Sequence, residues 1–278
     1  MANKKQLKGI NMLNKQGQIN RVAKIVPLTL LLLSAPAMAE NNTPPNESLA
    51  DMSDPLAVFT MAGFGVTNRG LNLKAAKSYD TGNTDKLGMN VIEIKGIYSD
   101  TLGWESNTKD SVDSLRVRNL TVNTINGRGA QIDMSYDLNS EAGSLSYSLL
   151  QALPAWGRFN LYPLGGVGIA FANNALQDDG TVASGYSLPG TFATVGMYGK
   201  FTVTDKIWLN YNPIWNASLS GSDLFKDHGF DEHSSSLMHE FIVSYQISPR
   251  SNVRYFANWT QYVDLSDGDH RIEYNYQF

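Results

Sequence analysis

The chain has 278 residues, with 22 Lys and Arg against 26 Asp and Glu, and no cysteine. Disulfides, thiolate metal sites and cysteine nucleophiles are thereby excluded, and the acidic balance argues against a nucleic-acid partner, which needs basic surface. No window approaches about 20 consecutive apolar residues, so no helix is available to cross a membrane.

The most apolar stretch comes first, IVPLTLLLLSAPAMA over Ile25 to Ala39. Six basic residues precede it (Lys4, Lys5, Lys8, Lys15, Arg21, Lys24), and Ala37, Met38 and Ala39 form a small-x-small cleavage pattern. Residues 1–39 are expected to be a cleaved signal peptide, with Met12 as a second possible start. Their removal takes six basic and no acidic residues, leaving 16 against 26, a net charge of −10. Residues 40–54, ENNTPPNESLADMSD, are polar and without periodicity and read as a flexible tail. The barrel domain inferred below takes residues 55–278.

Residues 54–74, DPLAVFTMAGFGVTNRGLNLK, are apolar enough to supply a hairpin, but the clear signal begins near Leu87. From there, segments of about ten residues alternate apolar and polar between turn residues, the period of strands with one face in an apolar medium. In GAQIDMSYDLN, Ala130, Ile132, Met134, Tyr136 and Leu138 share one face and Gln131, Asp133, Ser135, Asp137 and Asn139 the other. The same reading gives strands at about 88–98, 113–124, 129–139, 144–152, 158–172, 190–204, 206–220, 235–248, 251–264 and 269–278. Short turns such as TDK and SPRSN lie at one end, and the long connections 99–112, 173–189 and 221–234 lie at the other.

A soluble sandwich and a lipocalin-like barrel share this pattern. Strands of about 9–11 residues fit a bilayer when tilted, whereas soluble strands centre on about 5–6. Tyr98, Trp104, Trp156, Phe159, Tyr162, Trp215, Trp259 and Tyr262 stand near strand ends, where amphipathic rings favour a membrane interface. In hydrocarbon every backbone N–H and C=O needs a partner, so the sheet must close. The expected fold is an all-β, antiparallel transmembrane up-and-down barrel of ten strands, with twelve or eight as alternatives.

The last strand, HRIEYNYQF, ends on Phe278 with Tyr276, Tyr274 and Ile272 two, four and six positions before it. This resembles the C-terminal signature of Gram-negative outer-membrane β-barrels. The resemblance implies an outer-membrane location, recognition of these four residues by the barrel assembly machinery, and contact with outer-membrane lipid and lipopolysaccharide.

The opposite faces of the strands then line a lumen. Candidates are Glu93, Lys95, Arg116, Arg118, Asp133, Asp137, Glu240, Arg254, Arg271 and Glu273, with Asn210, Asn212, Asn216, Asn258 and Gln277. One reading is a plug of paired charges filling a narrow barrel; the other is a polar pore passing small polar solutes. In strand 158–172 the inward set (Asn160, Tyr162, Leu164, Gly166, Gly168, Ala170, Ala172) leaves room for a solute, a side chain from across the lumen, or segment 54–74.

Catalysis is not expected. His228, His233, His239 and His270 are the only histidines; no GxSxG or HExxH occurs, and His239 and Glu240 point to opposite faces of one strand. The cluster HGFDEHSSS, with Ser234, Ser235 and Ser236, reads as an external loop. Asp178, Asp179, Asp264, Asp267 and Asp269 make the loops acidic without matching a calcium motif, so no metal or cofactor is expected. The function that follows is passive passage through a narrow channel, with a closed structural or surface-interaction barrel as the alternative and a lipid-acting enzyme third.

Overall fold

A computed structural model describes residues 49–102 and 112–278. The expected signal peptide, residues 40–48 of the expected tail, and residues 103–111 lie outside the described residues. Twelve antiparallel strands hydrogen-bond in sequence order and close on themselves: β1 Met61–Thr67, β2 Gly70–Asp80, β3 Lys86–Ile97, β4 Ser114–Asn123, β5 Arg128–Asp137, β6 Ala142–Gln151, β7 Phe159–Asn173, β8 Tyr186–Thr202, β9 Ile207–Gly221, β10 Ser235–Ser248, β11 Ser251–Thr260 and β12 Asp269–Gln277. Closure runs from Met61 opposite Gln277 to Thr67 opposite Arg271.

The expectation of ten strands is therefore corrected to twelve, and the extra pair is β1 and β2. Their alternation is muted because Gly63 and Gly65 hold two of the inward positions of β1. A Cβ on Gly63 would collide with the Asn275 side chain, and one on Gly65 would collide with the Ile272 carbonyl oxygen and press on Cα and Cβ of Glu273. The missing side chains are what let the two polar residues of β12 fit beside β1. Outside, Phe64, Val66 and Leu73 are exposed as lipid-facing residues are.

The remaining strands carry the same division. Ile92, Ile132, Tyr147, Val167, Val195, Tyr245 and Ile272 are exposed on the outer wall, whereas Asn72, Glu93, Ser148, Asn210, Ser244 and Glu273 are buried inside. An apolar exterior around a polar interior is the inverse of a soluble domain and fits a wall immersed in lipid. Connections 81–85, 124–127, 152–158, 203–206 and 249–250 lie at one end. The other end bears turn 68–69, the described residues 98–102 and 112–113 that follow β3 and precede β4, loops 138–141, 174–185, 222–234 and 261–268, and two short helices, α1 Ser99–Leu102 and α2 Asp223–His228.

Residues 49–60 enter the lumen at the short-turn end and cross its mouth. Two successive turns fold them, Asp54 N–H to Asp51 O and Ala57 N–H to Asp54 O, each 3.0 Å. Leu56 is buried with Leu120 and Val122 of β4, Leu150 of β6, and Tyr162 and Leu164 of β7. Fully burying a leucine stabilises by about 1.5–3 kcal/mol, so this contact anchors the segment. Residues 49–54, read from the sequence as tail, are thus packed into the barrel mouth.

A second apolar group narrows the loop end: Ala170, Phe192, Phe225 of α2 and Phe230. The Phe192 ring lies over Gly168, where a Cβ would meet it. The space left open by the small residues of β7 is filled there by a side chain.

Candidate functional site: the lumen

Inward residues of β9 to β12 and of β2 form a dense polar arc. Glu273 is fully buried and accepts hydrogen bonds from Asn72 (3.1 Å) and from the Lys74 ammonium, while Arg271 Nε approaches it at 3.4 Å. Asn275 donates to Asn252 (3.1 Å), and Asn212 donates to Glu240 (2.7 Å). The Arg254 guanidinium donates to Ser244 (3.1 Å) and Asn210 (3.3 Å). Phe256 lies near two guanidinium carbons, Arg271 at 4.0 Å and Arg254 at 5.1 Å from its ring centroid. Cations over a ring face in a desolvated site attract by cation–π interaction, so the ring helps the arc hold three cations, Lys74, Arg254 and Arg271, against its two acids, Glu240 and Glu273.

The opposite arc, on β3 to β5, is arranged otherwise. Arg116 clamps Asp133 with two bonds, Nε to Oδ1 at 2.9 Å and Nη2 to Oδ2 at 2.5 Å. Glu93 is shared by Arg118 (3.2 Å) and Lys95 (3.8 Å). Here water reaches the cations: the side chains of Arg116, Lys95 and Arg118 are 34, 28 and 26% exposed, against 9% for Lys74 and 6% for Arg271. A basic, hydrated lane therefore runs beside a polar wall that is dry around Glu273.

The mouth segment bonds the Glu273 arc and β8. Gln277 Nε2 donates to Ala50 O (3.1 Å), and Gln246 and Asn252 point their amides at Met52 sulfur (3.6 Å each). Lys200 of β8 pairs with Asp51 (3.3 Å) and donates to Ser53. Burial alone would raise the Asp51 pKa, but the Ser53 hydrogen bonds and the Lys200 charge outweigh it and hold the carboxyl below its usual range. At the loop end Asp178 accepts the N–H groups of Leu224 (3.0 Å) and Asp223 (2.9 Å) at the start of α2, and these two bonds lower its pKa.

Of the residues singled out from sequence, Lys95, Arg116 and Arg118 are the water-exposed cations of the lane, with Asp133 and the buried Glu93 as their acids; Arg271 and Glu273 are the dry members of the other arc, where Glu240 and Arg254 are half-buried. Asp137 accepts the Ser140 N–H (2.7 Å) in a turn at the loop end. Asn216 donates to Met238 sulfur (3.3 Å), and Asn258 is paired in register with Glu240 and Asp269. Ile272, Tyr274, Tyr276 and Phe278 stand on the lipid side of β12, and the Phe278 N–H donates to Thr60 O (3.0 Å). Sequence reasoning missed Asn72 and Lys74, which sit in the unassigned hairpin, and the inward apolar residues Leu120, Val122, Trp208 and Phe256, which break the alternation.

His239 lies outside, stacked between Tyr211 and Trp259 with its Nδ1 2.8 Å from the Tyr211 hydroxyl. His270 bonds Tyr255 in the same manner, His233 stacks on Tyr262, and His228 faces Glu232 O. Ser236 donates to Asp231 (2.9 Å). No cluster of three His, Asp or Glu suited to a metal occurs among the described residues.

No family model matches this chain, and no curated protein matches it significantly. Solved structures of similar shape are membrane barrels. A porin described as NanC is 8% identical over 79% of this chain and 98% of its own, with a TM-score of 0.49. A KdgM porin is 10% identical over 80% and 99%, with a TM-score of 0.43. The translocator domain of autotransporter NalP from Neisseria meningitidis is 10% identical over 79% and 86%, with a TM-score of 0.44. At such values neither residue roles nor solutes transfer from those proteins to this one.

Proposed function

We propose that this chain is an outer-membrane barrel, exported by a cleaved signal peptide, that passes small polar solutes through its narrow lumen. Its own residues 49–60 act as a stopper at the periplasmic mouth. The observation that carries the reading is the unequal hydration of the lumen charges. A barrel serving only as a scaffold has no need to keep Arg116, Arg118 and Lys95 wet while drying Glu273 completely. Twelve strands lie between the roughly eight whose side chains fill the interior and the 16–18 that leave an open aqueous channel. A lane along one wall is the intermediate outcome. Its exposed charges are cations, which favour anionic solutes.

In this reading the even strand number places the short turns and the stopper in the periplasm and the long acidic loops toward lipopolysaccharide. Ile272, Tyr274, Tyr276 and Phe278 present the signal for the barrel assembly machinery. No enzymatic role is proposed, because the histidines are spent on aromatic and backbone contacts. The closed structural barrel is the second reading, favoured by the apolar groups at both ends of the lumen.

Planar-bilayer recording of the full chain and of a variant lacking residues 49–58 separates them. The expected result is a nearly silent full chain and discrete, anion-preferring openings from the shortened one. Silence of both at every voltage and salt overturns the channel and leaves the closed barrel.

A further inference from the structure

The outer wall is not apolar everywhere. Near the short-turn end of β3 and β4 its facing pairs are Lys86 with Asn123, Gly88 with Thr121, and Asn90 with Asn119. Asn119 donates to Asn90 (2.8 Å) and to the Tyr79 hydroxyl (2.7 Å), and Lys77 of β2, opposite Asn90, is exposed. A polar strip thus climbs two residue pairs from the rim into a face that elsewhere meets lipid. On the same distance up β5 and β6, Ala130 stands opposite Leu149 and Ile132 opposite Tyr147.

Between the two surfaces lies a groove of about 290 Å³, lined by Lys86, Thr121, Asn123, Asn126, Arg128 and Leu149. Small side chains on its floor, Thr121 and Ala130, leave the depth. Lys86 and Arg128 are both exposed, and no ion pair joins either of them, or Lys77, to a carboxylate among the described residues. The neighbouring Asp80 instead accepts the Gly82 N–H (2.8 Å). The Asn123 side-chain oxygen accepts the N–H groups of Ile125 and Asn126, each at 3.0 Å, which fixes the turn that carries Arg128.

We infer that this groove binds the headgroup of an anionic glycerophospholipid in the periplasmic leaflet. The phosphate lies between Lys86 and Arg128, hydroxyl and amide groups of Thr121 and Asn126 face the glycerol, and an acyl chain runs down past Ala130 and Leu149. Charge complementarity selects this occupant: two cations in no ion pair with a carboxylate, at a membrane boundary, beside the apolar Ala130 and Leu149. A protein partner would have to cover the exposed Leu149 as well, and lipopolysaccharide belongs to the loop end. The inference rests on the orientation proposed above.

The test uses the purified full chain with phosphatidylglycerol or phosphatidylcholine, and counts retained lipid by native mass spectrometry. Retention of phosphatidylglycerol over phosphatidylcholine is expected. At roughly 1 kcal/mol per cation near an anionic surface, apparent affinity falls about fivefold in K86Q and about 30-fold in K86Q/R128Q. Lys206→Gln, at the same rim across the barrel, leaves it unchanged. Equal retention of both lipids, or an undiminished signal in the folded double variant, overturns the site. Labelling a cysteine placed at Asn126 from outside the cell, rather than from the periplasm, would overturn the orientation instead.

Discussion

The two walls of the lumen hold similar charged groups under opposite conditions. Around Glu273 the carboxylate is fully enclosed by Asn72, Lys74 and Arg271. Around Asp133 the clamping guanidinium of Arg116 is one-third exposed to water. A buried pair repays its desolvation only while every partner is present, and removing one member leaves a charge stranded. A hydrated pair loses little, because water replaces the partner. The dry wall therefore serves the fold, and the wet wall is free to serve a solute.

Breaking the dry wall gives the largest expected effect. Glu273→Ala strands Lys74 and Arg271 and should cost about 3–5 kcal/mol, read as a lowered midpoint of urea unfolding in lipid. Asp133→Ala should cost only about 1 kcal/mol, and it should instead strengthen the preference for anions in bilayer recording by freeing Arg116. Equal unfolding midpoints for the two variants would erase the distinction between the walls.

The stopper lies between these extremes. Leu56→Ala removes an apolar anchor, a change that costs about 2–5 kcal/mol in a well-packed core. Its readout is open probability, which should rise while the unfolding midpoint of the barrel stays near that of the parent. Acid should act on the same element more gently. Docking lowers the Asp51 pKa, so the docked state gains from ionised Asp51 above the ordinary carboxylate range. That gain is lost as pH falls through the lowered value. Openings should become more frequent on acidification below about pH 4, and Asp51→Asn should flatten the response. The smallest change is expected from Asp178→Asn, which weakens the acceptor for the Asp223 and Leu224 N–H groups. It should speed proteolysis in loop 222–234 without altering conductance.

Much of this was legible in the chain. Strands β3 to β12 were readable because their polar and apolar residues alternate over most of their length, and the same alternation put Arg116, Asp133 and Glu273 on the inner face. The hairpin β1–β2 was harder, since a glycine carries no polarity and inward Gly63 and Gly65 leave half the pattern blank. With it went Asn72 and Lys74, and so two partners of Glu273. The stopper gave no periodic signal at all, because Met52 and Leu56 are lone anchors in a polar segment. The partners of Leu56 are Leu120, Val122 and Leu150, apolar residues on a face expected to be polar. Such violations of alternation mark where something other than water fills a barrel.

The stopper is also a tethered ligand. Leu56 sits a few residues ahead of Met61, where β1 begins, so a released segment stays beside its own binding site at an effective concentration of about millimolar or higher. Dilution cannot remove it, and no partner is needed to return it. In the channel proposed above, closing is therefore unimolecular, and the open time is the time a short leash takes to find its pocket again.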